Sequence, residues 1–183
     1  KQSGDYHETF RGTTGNTKAE AIQYQQQLQT GDYFVGYVGM YGHGTYSSPH
    51  MSVARSYAGL NYGGGNGAVM SVLIPKTAKL TTDSKVQREA NQFRTSETAR
   101  LTSELQTAQA AATSTAQKQK LQKEYDENIQ IVNHLTSDKG VFAMYRGYDA
   151  YQVDSDRSSS QPDIHWVILN RGMVISKKSF ITQ

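Results

Sequence analysis

The chain predicts a mixed α/β (α+β) domain in which a sheet drawn from both ends of the sequence is interrupted by a long helical hairpin. Short apolar runs of strand length, bounded by Gly- and Ser-rich turns, occupy residues 6–80 and return in residues 139–178. Between them, residues 84–135 carry apolar side chains at three- and four-residue spacings. With 183 residues and 36% apolar content, residues 1–183 are enough for one domain with its own core, the hairpin being an insertion within it.

The first strand is predicted around Tyr6 to Phe10, ending at "FRGTTG". Thr17 and Glu20 then offer a capping box for a helix with Ile22, Gln25 and Leu28 along one face, closed by "TGD" at Thr30 to Asp32. "YFVGYVGMYGHGTYSSPH" reads as a Gly- and Tyr-rich loop whose glycines keep backbone close to whatever packs on it. Ser48 and Pro49 mark a second helix start, Ser as cap and Pro at the first helical position, with Val53, Ala54 and Tyr57 as its inward stripe. "YAGLNYGGGNG" is a turn region, "AVMSVLI" a buried strand and "PKTAKLTTD" its exit.

Val86, Ala90, Phe93, Leu101, Leu105 and Ala108 form the apolar stripe of one long helix. Leu121, Tyr125, Ile129, Val132 and Leu135 form that of a second, after a break at Thr113 to Thr115. An antiparallel pair buries both stripes, with Glu97 interrupting the first. Lys120 with Glu124 and Lys123 with Glu127 are solvent-facing pairs worth only about 0.2–0.5 kcal/mol each. The hairpin is either a packing arm or a surface that binds a partner. Beyond it, Phe142 to Val153 reads as a strand or turn pair, "DSDRSSSQPD" as a polar connection, and "IHWVILNRGMVISKKSF" as strand, turn and strand. In that last stretch Gly172 is able to take positive φ in a tight turn at Asn170 to Gly172. Regular alternation sets Trp166 toward the core and His165 toward a cleft or solvent.

Composition removes several classes of chemistry. There is no Cys, which excludes disulfides, thiolate nucleophiles and cysteine metal sites. The 19 Lys and Arg against 16 Asp and Glu leave a formal charge of +3, too small an excess to mark a nucleic-acid track and compatible with a small anionic ligand. The five His have no compact metal-ligand spacing, so no metal is expected. No apolar run approaches the roughly 20 residues needed to cross a bilayer. The polar opening "KQSGDYHETF" has no signal-peptide core, and a chain beginning with Lys is read as a fragment whose targeting information lies elsewhere. Neither G-x-G-x-x-G, nor a Walker lysine, nor a G-x-S-x-G elbow is present.

Two stretches suit an anionic, ring-bearing ligand. Arg11, Gly12, Thr13 and Thr14 put a planar guanidinium beside small residues that leave backbone N–H groups accessible, a corner suited to phosphate; an exposed Arg beside a turn is the plainer reading. "GHGTYSSPH" joins a Gly loop, an aromatic ring, two hydroxyls and a helix start, the plainer reading being capping by Ser48 and core packing by Tyr46. Asp149 beside Gly and Tyr reads locally as a turn former; Arg146 and Arg171 offer charge for phosphate or an acidic target, the plainer reading being exposed charge beside Gly turns.

The order of these pieces resembles the ADP-ribosyltransferase superfamily, in particular bacterial toxin and phage-associated mono-ADP-ribosyltransferase domains. "FRG" resembles the Arg-bearing first strand, "GHGTYSSPHMSVARSYAG" the Gly-Tyr loop, Ser/Thr strand and following helix, "AVMSVLIP" the next central strand, and "YRGYDAYQV" with "HWVILNRGMVI" the ending of phage-type members. The resemblance implies a split antiparallel sheet holding NAD as co-substrate, with ADP-ribose passed to a macromolecular acceptor, a protein more than a nucleic acid. It also implies a secreted or injected effector, or a phage-associated protein. Arg11, with Gly12 and Thr13, would contact the phosphates or the adenosine-side ribose; Thr45, Tyr46, Ser47 and Ser48 would support the nicotinamide side; Tyr46 or Tyr57 would pack around the nicotinamide. The hairpin would offer an acceptor-recognition surface.

The resemblance also implies a carboxylate where positive charge develops at the anomeric carbon. His165 stands at that position, with Asp163 two residues earlier. Neutral His accepts from a ribose hydroxyl but supplies no negative charge. The expected alternatives are Asp163 entering the cleft, Asp149 doing so from a neighbouring element, a site centred on His165, or a domain that binds NAD or protein without catalysis. NAD glycohydrolase, with water as acceptor, is a further alternative.

Overall fold

The computed structural model describes residues 3–26, 38–39, 41–60, 65–153 and 165–181. In chain order these form β1 (Tyr6–Thr13), α1 (Lys18–Gln26), β2 (Val38–Gly39), β3 (Gly42–His43), β4 (Thr45–Ser47), α2 (Met51–Tyr57), β5 (Ala68–Pro75) and β6 (Leu80–Thr82). There follow α3 (Asp83–Ala111), α4 (Thr115–Ser137), α5 (Lys139–Tyr145), β7 (Ala150–Gln152), β8 (Trp166–Ile168) and β9 (Ile175–Ile181). The chain is thus mixed α/β, with five α-helices among the described residues.

Two sheets carry the architecture. One has the order β1-β5-β9 and the other β4-β8-β7-β6, while β2 and β3 pair in a small separate ladder. Alternation along β5 sends Val69 to one side, where it packs with Ala54, Ala58 and Leu60 on and after α2, and sends Met70, Val72 and Ile74 to the other. These last three meet Ala150, Trp166 and Ile168 of the second sheet. Val167 and Leu169 point the opposite way, into a cluster with Val86, Ala90, Phe142 and Tyr151. The order of layers is therefore α2, sheet, sheet, helices. A fully buried side chain such as Phe142 contributes about 1.5–3 kcal/mol to it.

The hairpin forms as its two stripes require. Thr82 caps α3 by accepting from Lys85 N, and Ser114 opens α4 with a capping box completed by Gln117. Arg94 reaches Thr136 O at 3.0 Å, and Thr102 Oγ1 lies 3.2 Å from Tyr125 Oη, which fixes the antiparallel pairing. Only its base is core: Val86 and Ala90 are buried in the main cluster, whereas most of the distal half is exposed. Glu97, which breaks the stripe, is bound by Arg100 at 2.7 Å.

Several expectations change. β1 continues through Arg11 and Gly12 to Thr13, because the whole stretch pairs with β5 from Tyr6↔Pro75 to Thr13↔Ala68. The stretch read as a Gly- and Tyr-rich loop contains β2, β3 and β4. Ser48 and Pro49 do not start α2; His50 is its N-cap, without a side-chain cap bond, and Ser48 is held by β1 instead. "PKTAKLTTD" contains β6, and Phe142 falls in α5 rather than in a strand, because Asp138 caps a helix there by accepting from Val141 N. β6 and β7 run parallel, so the second sheet is not purely antiparallel; the α3–α5 crossover between them is long enough to allow it. The turn at Asn170 is a 3₁₀ turn over Arg171–Met173 in which Asn170 accepts from Gly172 N, and Gly172 is not among the positive-φ glycines. At α1, Thr17 accepts from Glu20 N, but the Glu20 carboxylate returns to Asn16 N. Leu28 and "TGD" lie outside the described residues.

Candidate functional site

The site lies where the two sheets part. Phe10 N donates to Ser48 O at 2.6 Å, and Ser48 N donates to Phe10 O at 2.8 Å, so β1 is clipped to the residue after β4. The β4–β8 register pairs Ser47 with Trp166, the chain neighbours of Ser48 and His165. Segments far apart in sequence thus form one row across the split, with Arg11 next to Phe10.

Arg11 pairs with Met70, whose side chain belongs to the core between the sheets, so the Arg11 face of β1 looks into that space. Burial first, and the nearby positive charge of Arg171 second, lower the Arg11 pKa to about 10. Arg171 is not the exposed charge expected of it: it is half-buried and its Nε is inaccessible to solvent. Arg146 is exposed, with Glu89 3.7 Å away. Among the described residues the buried hydroxyls of Thr13 and Ser47 have no hydrogen-bond partner, an arrangement that costs about 1–3 kcal/mol each unless something satisfies it. Gly12 has a packing reason of its own, since a Cβ there would fall 1.8 Å from Ala54 O on α2.

His165, 8% exposed, is flanked by two aromatic rings. Tyr41 lies at 5.8 Å between centroids and tilted, Tyr57 at 6.3 Å and edge-on. Tyr57 is 65% exposed, so its ring borders open space. Trp166 turns the other way, onto His7 at 5.0 Å and into the inter-sheet core, as alternation requires. Thr45 is buried within β4. Tyr46 is half-buried and its hydroxyl is committed to the loop: it donates to Gly42 O and accepts from Tyr41 N at 3.1 Å. Burial chiefly, with the neighbouring Asp138 and Tyr57 adding, raises its pKa to about 12. Ser48 Oγ accepts from His50 N at 3.1 Å.

Asp149 is not brought to His165. Its carboxylate accepts from Lys79 N at 2.8 Å and from Asn170 Nδ2 at 2.9 Å, and its carbonyl accepts from Leu169 N and Asn170 N. It therefore clasps the far end of β8, about 13 Å along the strand from His165. Asp163 lies outside the described residues.

The sequence reading missed two participants. Tyr41 packs on His165, and His43 Nδ1 lies 2.7 Å from Asp138 Oδ2. "GHG" marked His43 as part of an interesting loop, but its partner is 95 positions away and no spacing rule finds it. On the hairpin, a groove of about 740 Å³ is lined by Glu127, Gln130, Ile131, His134, Leu135 and Val141, with Ile131 64% exposed. Among the described residues, no group of three His, Asp or Glu is arranged to hold a metal, and no helix is long and apolar enough to cross a membrane. No protein-family model, curated protein or solved structure matches the chain.

Proposed function

We propose that this chain is a NAD-dependent mono-ADP-ribosyltransferase. The observation that carries the reading is the clip between Phe10 and Ser48 next to the Ser47–Trp166 pair, because it gathers the three segments on which the family resemblance rests. The groups present suit NAD. A half-buried guanidinium of lowered pKa gains from a phosphate, two orphaned hydroxyls gain from ribose or amide groups, and an exposed Tyr57 face gains from a flat ring.

In this reading Tyr57 holds the nicotinamide on the His165 side, and Arg11, which faces the space between the sheets with Met70, holds the pyrophosphate from the opposite face of its strand. Buried His165, packed between Tyr41 and Tyr57, accepts a hydrogen bond from the nicotinamide-side ribose. Asp149 is set aside by its place at the far end of β8. Asp163, two residues before His165 in the chain, is the carboxylate this reading assigns to the positive charge that develops at the anomeric carbon. The second reading is a noncatalytic NAD- or protein-binding module of the same shape. Water as the acceptor would make the protein a NAD glycohydrolase. The acceptor is proposed to be a protein held against the hairpin groove, as for a toxin, injected effector or phage-associated transferase.

The test is nicotinamide release and acceptor labelling from isotopically marked NAD. Tyr57→Ala should raise the KM for NAD at least tenfold without changing the fold. If NAD binds but no nicotinamide is released, the noncatalytic reading replaces this one.

A further inference from the structure

Resting on the transferase reading above, we propose that His43, held by Asp138, is the general base that deprotonates the acceptor. The acceptor is accordingly a hydroxyl rather than a carboxylate. The pair is built as such a base requires. Asp138 takes the His43 ring at 2.7 Å and the His43 backbone N–H at 3.1 Å, and its Oδ1 also accepts Val141 N at 2.9 Å. Burial raises the Asp138 pKa, but these N–H groups and the His43 ring outweigh it and hold the carboxyl below its ordinary range, so the carboxylate is a standing anion at neutral pH. A carboxylate on Nδ1 makes that nitrogen the donor and leaves the Nε2 lone pair pointing away, the tautomer a proton acceptor needs. Among the described residues no hydrogen bond engages Nε2, and the side chain is 27% exposed.

Placement favours the reaction as well. His43 follows Tyr41 by two residues on the hairpin whose Tyr41 ring packs on His165. Tyr46 Oη donates to Gly42 O, beside His43, and accepts from Tyr41 N, whose ring packs on His165, so dyad and aromatic cleft border one another. The other polar groups facing the pair are Tyr151, whose hydroxyl goes to Tyr41 O, and Lys139, which is tied to Asp83 at 3.0 Å. Backbone packing fixes the position, since a Cβ on Gly140 would fall 1.9 Å from His43 O.

The step balances simply. The acceptor oxygen bonds to the anomeric carbon as the carbon–nicotinamide bond breaks; the bonding pair leaves with nicotinamide, neutralising its ring, and the hydroxyl proton passes to His43 Nε2. Asp138 stabilises the imidazolium until the proton is lost to water. A carboxylate acceptor, already anionic, would need no such base.

The experiment compares wild type with His43→Asn, whose side-chain N–H still reaches Asp138 but which cannot accept a proton. Methanol serves as the hydroxyl probe and azide as an anionic one. NAD binding and thermal midpoint should be unchanged, methanol transfer should fall about 10²–10⁴-fold, and azide should restore nicotinamide release. Equal methanol transfer in both proteins overturns the proposal, as does a joint loss of melting temperature, NAD affinity and azide reaction, which would make His43 a structural tie. A wild-type protein that binds no NAD removes the transferase reading itself, whatever the variant does.

Discussion

Phe10 and Ser48 exchange both main-chain hydrogen bonds, at 2.6 and 2.8 Å, and are the point at which the Arg11 strand meets the Thr45–Ser47 strand. Everything placed around the split depends on that clip. Ser48→Pro removes the donated N–H and should destabilise the protein by about 3 kcal/mol, read from urea unfolding, with NAD binding lost in parallel. Unchanged stability would mean that the sheets are held together elsewhere.

Arg11 is a cation in a place that disfavours charge. Its lowered pKa means that its ionised form costs stability at every pH below about 10, a cost removed only as pH rises through that value. In Arg11→Met the rise in midpoint that NAD gives wild type should disappear. A variant that melts lower yet keeps the NAD shift would place Arg11 in the scaffold.

Gly12 has no room for a side chain beside Ala54 O. Gly12→Ala should cost about 1–3 kcal/mol by pushing α2 outward, and the displaced Tyr57 should weaken NAD binding with it. Full stability in this variant would contradict the α2 packing described above.

Asp138 joins α5 to β3. Because its folded pKa lies below the unfolded 3.8, the stability it contributes is complete above that value and is lost as pH falls through the lower folded value. The gap in urea stability between wild type and Asp138→Ala should be about 1–3 kcal/mol at neutral pH and should narrow in acid. A gap independent of pH would show that only packing was removed.

Much of this arrangement was legible in the chain. The hairpin was, because its two stripes persist for many turns and a Thr/Ser break separates them; its ends moved by one or two residues, to Asp83 and Ser137. Sites built by pairing were not. β6 and β7 are three residues each, too short for a period, and Phe142 looked like strand until Asp138 was seen to cap a helix. Ser48 beside Pro49 has the composition of a helix start, yet a partner 38 positions earlier in sequence claims its backbone. Asp149, attractive as a carboxylate near the end of the chain, is occupied by Lys79 and Asn170, partners that no local pattern reveals.

The base of the hairpin belongs to the core through Val86 and Ala90, so the acceptor-recognition role is tested at the groove itself, at its exposed Ile131. Ile131→Asp should leave NAD binding intact and reduce labelling of a protein acceptor. Undiminished labelling would remove the groove from acceptor recognition.

The most direct measurement is nicotinamide release from NAD by the purified chain, followed with Arg11→Met and Tyr57→Ala alongside. The account predicts saturable release that both variants lose. No release by wild type, with no thermal shift at millimolar NAD, would contradict it.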